Sequence, residues 1–247
     1  MKKTLRIDVW SDIACPWCHV GKRRLEAALA RFPQRDRVEI VWRAFELDPS
    51  APRAPGSDGA PRSANGSYAK RLARKYGKSV GQAEAMVANM TAIASRDGLD
   101  FHFEHIQPGN TFDAHRLVHL ALDRGKQDAV KERLFKAYLS EGESMGDVEA
   151  LVRLGAEAGL DADEVRGMLA GDAYANDVRA DEAQAARLAI SGVPFFVFNG
   201  RFAVSGAQPS ELFDQALAQA WSELVEEPDA AAETFAEGAV CGPDGCA

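Results

Sequence analysis

Two pairs of closely spaced cysteines are the residues of this sequence best suited to covalent chemistry. Two residues separate Cys15 from Cys18, and four separate Cys241 from Cys246 near the end of the chain. A thiolate is a nucleophile, and a second thiol nearby can resolve the mixed disulfide that the first one forms. The same Cys-x-x-Cys spacing also supplies half of many zinc sites. The local structure around Cys15 and Cys18 decides between these two interpretations.

The first pair lies where a strand changes into a helix. Residues 4–10 and 38–46 alternate in the manner of strands, and apolar residues recur at helical spacing between them. Cys15 therefore stands at a helix N-terminus, where unpaired N–H groups and the helix dipole stabilise an anion, and Pro16 suits the first turn. We predict Cys15 as the nucleophile and Cys18 as the resolving thiol. We predict no metal, because no second Cys-x-x-Cys or histidine pair has zinc-finger spacing.

Three neighbours of this pair are further candidates for the site. Trp17 is expected to be exposed and to offer an apolar contact to substrates, with partial burial as the alternative. His19 is a candidate substrate-binding residue, because an imidazolium stabilises a nearby thiolate; a ring that faces solvent is the alternative. Asp12 is expected to cap the helix, and proton transfer is its other candidate role.

The composition limits the partners and the location of the protein. The chain has 247 residues, 46% of them hydrophobic, and a net charge of -8. It is long enough for a full core, and we expect neither nucleic acid nor a membrane as a partner. Residues 5–9 alternate like a strand and do not resemble a signal peptide, so we expect a cytoplasmic protein. Structural disulfides are rare in the cytoplasm, which favours a catalytic role for the cysteines.

A long helical segment separates the first strands from the last. Residues 49–62 contain four prolines and are typical of a loop, and residues 65–189 have a periodicity that predicts six or seven helices. The predicted helix caps are Asn110 or Thr111, Asp147, Asp161 and Asp172, and the predicted helix ends are Gly98, Gly125 and Gly159. The histidines expected to be structural or on the surface are His102, His105, His115 (in the core) and His119.

Strand character returns after the helical segment. Residues 194–198 and 201–204 are apolar and aromatic, and the Asn-Gly dipeptide between them is a strong signal for a two-residue hairpin turn. A last amphipathic helix is predicted over residues 210–225. A strand, helix and strand followed by helices, a hairpin and a helix is the order of a thioredoxin fold with a helical insertion.

We therefore predict an α/β protein with a thioredoxin-like fold, a large all-helical insertion and a flexible C-terminal tail. Residues 1–62 and 190–226 are assigned to the thioredoxin-like domain and residues 63–189 to the insertion. Residues 227–247 are assigned to the tail, because residues 226–238 are acidic and rich in alanine, which is typical of a flexible linker.

The tail carries the second cysteine pair on a predicted turn. Pro243 and Gly245 suit the second and fourth positions of a type I β-turn, which brings Cys241 and Cys246 close enough for a disulfide. We hypothesise a second redox pair that exchanges electrons with the first pair or with a client protein. A merely protective disulfide is the alternative.

Three segments of the chain resemble the DsbA-like FrnE family of thiol–disulfide oxidoreductases. They are residues 11–24, which contain the Cys-Pro-Trp-Cys motif, residues 110–116 and residues 192–196. The resemblance implies a thioredoxin fold with an inserted helical domain. It implies dithiol–disulfide oxidoreductase or isomerase activity. We expect proteins that contain thiols or disulfides as clients, and the sequence leaves a monomer and a homodimer both open. It also implies that Pro194 is a cis-proline facing the cysteines and that Val193 offers backbone groups to the substrate chain.

Two other functions stay open at this point. The family includes relatives that resemble hydroxychromene-carboxylate isomerases and kappa-class glutathione transferases, which bind glutathione and commonly have serine where Cys15 stands. Both motif cysteines are present here, which favours protein-type redox chemistry with no cofactor and with glutathione or another thiol as a candidate co-substrate. The second alternative is a zinc-binding stress or interaction module that joins the two cysteine pairs.

Overall fold

A computed structural model describes residues 3–52 and 67–224, and its sheet has four strands in the order β2-β1-β3-β4. The strands are β1 (Leu5–Ser11), β2 (Val38–Ala44), β3 (Phe195–Phe198) and β4 (Phe202–Ser205). Strand β1 pairs in parallel with β2 along its whole length and antiparallel with β3, which forms a hairpin with β4. The chain leaves the central strand β1 directly into the first cysteine pair.

The strand-helix-strand unit has the hydrophobic pattern that the sequence predicts. Leu5 and Ile7 on β1 are fully buried in one cluster with Val20 and Leu25 of helix α1 (Pro16–Arg31). The helix ends just before the Phe-Pro dipeptide, because the residue preceding a proline avoids the helical conformation. Helix α1 therefore presents its first turn at the end of β1 and its apolar side to the sheet.

Between β2 and β3 the described residues form seven α-helices, which confirms the prediction of six or seven. They are α2 (Tyr68–Tyr76), α3 (Val80–Arg96), α4 (Phe112–Asp123), α5 (Gln127–Lys136), α6 (Val148–Glu157), α7 (Ala162–Ala170) and α8 (Ala175–Arg187). A π-helical turn over Ala137–Glu141 extends α5, and α9 (Ser210–Ser222) follows the hairpin. No helix among the described residues is long and apolar enough to cross a membrane.

Most of the predicted helix ends are confirmed. Asp147 and Asp161 accept backbone N–H groups at the starts of α6 and α7. The predicted ends Gly98, Gly125 and Gly159 each have positive φ, at 75°, 63° and 93°. The cap predicted at Asp172 is wrong. Tyr174 takes the left-handed conformation at the start of α8, with φ 61°, and its hydroxyl donates to Asp123.

The hairpin turn between β3 and β4 is also confirmed. Asn199 and Gly200 both have positive φ, at 50° and 66°, as a two-residue hairpin turn requires. The Asn199 side chain accepts the N–H of Arg6 at 2.9 Å, and the Asn199 N–H donates to the Arg6 carbonyl at 2.8 Å. The turn is thereby attached to β1, which fixes the hairpin against the strand that leads to the cysteines.

The helical segment and the sheet share one hydrophobic core. Its largest cluster includes residues of β1, β2, β3, α1, α9 and most of the helical segment. The rings of Trp42 on β2 and Phe135 on α5 meet edge-on with centroids 6.5 Å apart. Helix α5 is thus placed behind the first turn of α1. The predicted boundary at residues 62 and 63 and the tail over residues 227–247 lie outside the described residues.

Candidate active site

Both cysteines of the first pair lie on the first turn of α1, as predicted. Cys15 is the N-cap residue and Pro16 the first helical residue. The Cys15 N–H donates to the Asp12 carbonyl at 3.1 Å, and the Cys18 N–H donates to the Cys15 carbonyl at 3.0 Å. Both thiols are free. This turn holds the two sulfur atoms at the boundary between β1 and α1.

The loop before β3 lies directly opposite Cys15. The Cys15 Sγ is 3.6 Å from the Val193 carbonyl oxygen, and the Val193–Pro194 peptide bond is cis. The Pro194 ring packs against Gly21 on α1, where an added Cβ would come within 3.0 Å of Pro194 Cγ. A glycine at this position therefore permits the close approach of the loop to the helix. The structure brings together the residues that the family resemblance pairs.

The two thiols differ in their surroundings. Cys15 is 4% exposed and lines a cleft, whereas Cys18 is fully buried. Burial raises the pKa of the Cys18 thiol well above its ordinary value, and the hydrogen bond and charge of Cys15 raise it further. This arrangement fits an outer thiol that meets the substrate and an inner thiol that acts only inside the protein.

A cleft of about 830 Å³ opens beside Cys15. Trp17 is 40% exposed at this cleft, as the prediction of an exposed tryptophan requires. Most of the other lining side chains are apolar, and the charged ones are Asp12, Glu46, Asp48, Arg71 and Lys75. The apolar lining residues include Phe45, Leu47, Tyr68, Met86, Val87, Met90, Phe103 and Tyr138. A volume in the range of ligand pockets with an apolar lining suits an extended peptide segment or a small organic thiol.

Asp12 does not cap the helix, which corrects that expectation. Its carboxylate accepts the N–H groups of Ala14 at 3.2 Å and Leu47 at 2.8 Å, and it lies 3.6 Å from Nε2 of His115. Burial opposes ionisation, but His115 and the two backbone donors outweigh it and lower the pKa of Asp12. Asp12 is a buried carboxylate that joins the end of β1 to the loop after β2.

His19 is not exposed to a substrate, so the expectation that it binds one is wrong. The side chain is almost fully buried, its ring stacks on Phe135 with centroids 4.9 Å apart, and Nε2 lies 3.3 Å from Glu132 Oε1. Burial lowers the pKa of His19, against the raising effect of Glu132. The partners come from α5, more than a hundred residues away, and no local pattern reveals them.

The segment before α4 fits the expected capped helix start with a core histidine. Asn110 accepts the N–H of Phe112 at 2.8 Å and donates to Glu46 at 2.9 Å, whereas Thr111 makes no side-chain capping bond. His115 is 1% exposed. The motif therefore fixes the entry of α4 and places His115 beside Asp12.

Lys131 on α5 is a buried residue that the sequence analysis missed. It is fully buried, and its Nζ has no hydrogen-bond partner among the described residues. The amine lies 5.1 Å from the centroid of the Phe135 ring and 5.7 Å from that of Trp42. Burial lowers the pKa of Lys131 to about 8, while the charges of Cys18, Asp12 and Cys15 act in the opposite direction. One signal was available, because Lys131 falls at helical spacing with buried residues of the same helix.

Among the residues that the structure describes, one histidine cluster outside the cleft has ligand atoms close enough for a metal ion. The ligand atoms of His102, Glu104 and His105 lie within 4.8 Å of one another. The His102 ring nitrogens Nε2 and Nδ1 lie 3.1 Å from carboxylate oxygens of Asp100 and Glu104, so the ring has partners without a metal. His119 is buried and lies 2.9 Å from Asp181. Cys241 and Cys246 lie outside the described residues.

Comparisons with known proteins identify the family of the chain. A family model described as the DSBA-like thioredoxin domain matches residues 6–218. A crystal structure of a probable DsbA oxidoreductase from Streptomyces coelicolor is 46% identical, with 98% of each chain covered and a TM-score of 0.81. The Bacillus subtilis protein YwbO, described as uncharacterized, is 28% identical over 87% of this chain and 96% of its own.

A more distant structure shares the fold. The cytosolic disulfide reductase DsbM of Pseudomonas aeruginosa, solved with glutathione, is 16% identical, with a TM-score of 0.58 over 87% of this chain and 98% of its own. The predicted thioredoxin-like fold is thereby confirmed. Both the match of the family model over most of the chain and the Streptomyces structure lead to one conclusion: this chain belongs to the family of DsbA-like thioredoxin-domain oxidoreductases.

Proposed function

We propose that this protein is a thiol–disulfide oxidoreductase that works through the Cys15–Cys18 dithiol on client proteins. The observation that supports it best is the position of Cys15 Sγ. It lies at the start of α1, 3.6 Å from the Val193 carbonyl and beside an apolar cleft. A thiolate is stabilised at a helix N-terminus, and an extended client segment can pair with the backbone at Val193.

The reaction needs two exchange steps in the reducing direction. The Cys15 thiolate attacks one sulfur of a client disulfide, forms a mixed disulfide and releases the other client sulfur as a thiolate, which takes a proton from water. The thiolate of Cys18 then attacks Cys15 Sγ, closes the Cys15–Cys18 disulfide and releases the second client sulfur. Two electrons have passed to the client, and two molecules of a thiol such as glutathione can then reduce the Cys15–Cys18 disulfide to the dithiol and leave as a disulfide. The reverse sequence of steps oxidises a client. If a second client thiol attacks the mixed disulfide before Cys18 does, the client leaves with a rearranged disulfide, which is isomerisation.

The proposal extends to the location and to the tail. We place the activity in the cytoplasm, where a reducing thiol pool can regenerate the dithiol. The second pair, Cys241 and Cys246, stays a hypothesis from the sequence. If it relays electrons, replacing both residues with serine slows multiple turnover with a protein client. A rate equal to that of the parent would remove the second pair from the scheme.

The test of the proposed function replaces each cysteine of the first pair in turn. In the Cys15→Ser variant, the rate at which a dithiol reduces a disulfide-containing protein such as insulin should fall to the uncatalysed rate, because the nucleophile is lost. Cys18→Ser is expected to accumulate a mixed disulfide with the client, visible by mass spectrometry. A Cys15→Ser variant that kept half of the parent activity would contradict the proposal.

A further inference from the structure

The loop between α3 and α4 carries a group of metal-binding side chains at the surface of the protein. Its residues alternate, because Phe101 and Phe103 are buried in the core and the residues beside them face outward. The outward side chains are two imidazoles and two carboxylates, those of Asp100, His102, Glu104 and His105. Imidazole nitrogen and carboxylate oxygen are the ligands that divalent ions of the zinc class take in proteins. The loop therefore has the donor chemistry of a metal site.

Three of these side chains converge. One ligand atom from each of His102, Glu104 and His105 lies within 4.8 Å of the other two. The two imidazole rings are tilted by only 24° with centroids 5.5 Å apart, and Nδ1 of His102 lies 3.1 Å from Glu104 Oε1. Around a tetrahedral zinc ion with bonds of about 2.0–2.1 Å, ligand atoms are about 3.4 Å apart. Since the three side chains lie at the surface, small rotations about their own bonds close the remaining gap.

A fourth side chain orients the His102 ring. Asp100 Oδ2 lies 3.1 Å from Nε2 of His102, the ring nitrogen that Glu104 does not contact. A histidine that binds a metal almost always donates its second ring N–H to a carboxylate, a carbonyl or water, which fixes the ring and makes the binding nitrogen more basic. With Asp100 at Nε2, the Nδ1 atom is the one left for an ion. The ion thus replaces the hydrogen bond between His102 and Glu104, and the bond to Asp100 stays.

The backbone of the loop is fixed on the π-helical turn that follows α5. The His102 N–H donates to the Leu139 carbonyl at 2.8 Å, and the His105 N–H donates to the His102 carbonyl at 3.0 Å. Gly142 lies against His105, because a Cβ added at Gly142 would come within 2.6 Å of the His105 carbonyl oxygen. A backbone held in this way keeps the ligand side chains together before an ion arrives, which lowers the entropic cost of binding.

We propose that this loop binds a divalent ion of the zinc class through two histidines and one glutamate. The ligands are His102, Glu104 and His105. Two imidazoles and one carboxylate form a set of three protein ligands that zinc accepts with water in the fourth position. Two residues separate the histidines, which is not zinc-finger spacing, so the sequence analysis found no metal signal here. The ligands lie on both sides of Phe103, which lines the cleft, so a bound ion fixes the segment that forms one wall of the cleft.

The experiment titrates Zn²⁺ into the full-length chain and measures the heat of binding. All four cysteines are replaced with serine in this parent chain, because thiolates also bind zinc. We expect one zinc ion per chain. His105→Gln removes a ligand and should weaken zinc binding by more than about a hundredfold, whereas Asp100→Asn keeps every ligand and should weaken it by about tenfold.

A matched pair of glutamate substitutions separates the site from the general charge of the surface. Glu104→Gln removes a ligand, and Glu84→Gln makes the same chemical change at an exposed position of α3 outside the loop. We expect Glu104→Gln to weaken zinc binding strongly and Glu84→Gln to leave it unchanged. Zinc that binds only the folded chain also raises the midpoint of thermal unfolding. That increase should be present in the parent and in Glu84→Gln and absent in His105→Gln.

Two outcomes overturn the inference. One is a parent chain that binds no zinc, and the other is equal zinc affinity of His105→Gln and Glu84→Gln, which indicates adventitious binding at the surface only. If the chain without cysteines does not fold, Co²⁺ is titrated into the chain that keeps them. Cobalt held by nitrogen and oxygen then shows no thiolate-to-cobalt charge-transfer band, and a cobalt spectrum that is unchanged by His105→Gln likewise overturns the inference. These outcomes do not depend on the redox chemistry of Cys15 and Cys18.

Discussion

Two buried lysines, one on α1 and one on α5, have opposite electrostatic environments. Lys22 on α1 is paired with three carboxylates: Glu26, Asp128 at 3.1 Å and Glu132 at 3.2 Å. Burial would lower the pKa of Lys22, but the carboxylates outweigh it and raise the pKa. Lys131 on α5 has no carboxylate partner within residues 3–52 and 67–224, and burial lowers its pKa to about 8.

The difference separates a charge that stabilises the fold from one that the fold tolerates. The pairs of Lys22 with Asp128 and Glu132 join α1 to α5, and breaking them removes charge-assisted hydrogen bonds of a buried ammonium. Among the described residues Lys131 makes no such bond, and its amine lies over the rings of Trp42 and Phe135. Natural proteins keep destabilising polar groups mainly where function needs them. The following substitutions test whether this division is correct.

Removal of the paired lysine should have the largest effect on stability. Lys22→Met is expected to lower the free energy of unfolding by about 2–3 kcal/mol, because it removes the charge-assisted bonds of a buried ammonium to three carboxylates. The rate of mixed-disulfide resolution should stay within about twofold of the parent, since Lys22 does not take part in that step. Urea unfolding monitored by tryptophan fluorescence measures the first quantity. An unchanged unfolding midpoint would mean that the ion pairs do not stabilise the α1–α5 contact.

The loss of stability in Lys22→Met should also depend on pH, and the direction follows from Glu132. Burial would raise the pKa of Glu132, but hydrogen bonds from His19 and Arg23 and the charge of Lys22 hold that pKa well below its usual range. A carboxylate with a depressed folded-state pKa contributes stability above its unfolded pKa and loses it in acid. The difference between the parent and Lys22→Met should therefore be greatest near neutral pH and shrink as the pH falls below about 4.

Substitution of Gly21, which faces the opposite side of α1 from Lys22, should have an intermediate effect on the free energy of unfolding. Gly21→Ala is expected to cost about 1–3 kcal/mol and to lower reductase activity, because its Cβ would approach Pro194 and Phe196. The matched control is Gly167→Ala on α7, where no atom lies within contact of an added Cβ. That control should stabilise the chain by up to about 1 kcal/mol through helix propensity alone. Equal effects of the two substitutions would disprove the close approach at Pro194.

Removal of the unpaired lysine should have the smallest effect, and in the opposite direction. Lys131→Met is expected to raise the free energy of unfolding by about 1 kcal/mol near neutral pH, because it removes a buried amine without a partner. The parent should become more stable between pH 8 and the ordinary lysine pKa of 10.5, because the unfolded chain there binds more protons than the folded one. The advantage of the variant is therefore complete below about pH 8 and declines above it. A destabilised variant would show that Lys131 supports the fold.

The sequence predicts the features that depend on neighbouring residues. The position of Cys15 at a helix start, the Asn199-Gly200 turn and the caps Asp147 and Asp161 all follow from short patterns, and the structure has each of them. The apolar periodicity likewise places the strands within a few residues. The arrangement of these elements around the cysteines required the family resemblance, because spacing alone does not specify which loop faces Cys15.

The features that the sequence does not predict depend on contacts across the chain. His19 precedes its partners Phe135 and Glu132 by more than a hundred residues, so its burial is decided by tertiary packing. Asp12 accepts a bond from Leu47 and lies near His115, neither of which a capping rule considers. Lys131 falls at helical spacing with buried residues of α5, but a lysine among charged residues is usually exposed. Only the packed helices show that its amine lies over the rings of Trp42 and Phe135.

The most direct test of the account is a redox titration of the first cysteine pair. The full-length protein is equilibrated with glutathione buffers, free thiols are alkylated, and the linked peptides are identified by mass spectrometry. The account predicts that Cys15 and Cys18 lose reactivity together in one two-electron transition to a Cys15–Cys18 disulfide, with any Cys241–Cys246 disulfide observed separately. If no Cys15–Cys18 disulfide formed at any glutathione ratio, or if one of the two thiols remained reactive throughout, the central claim would be contradicted.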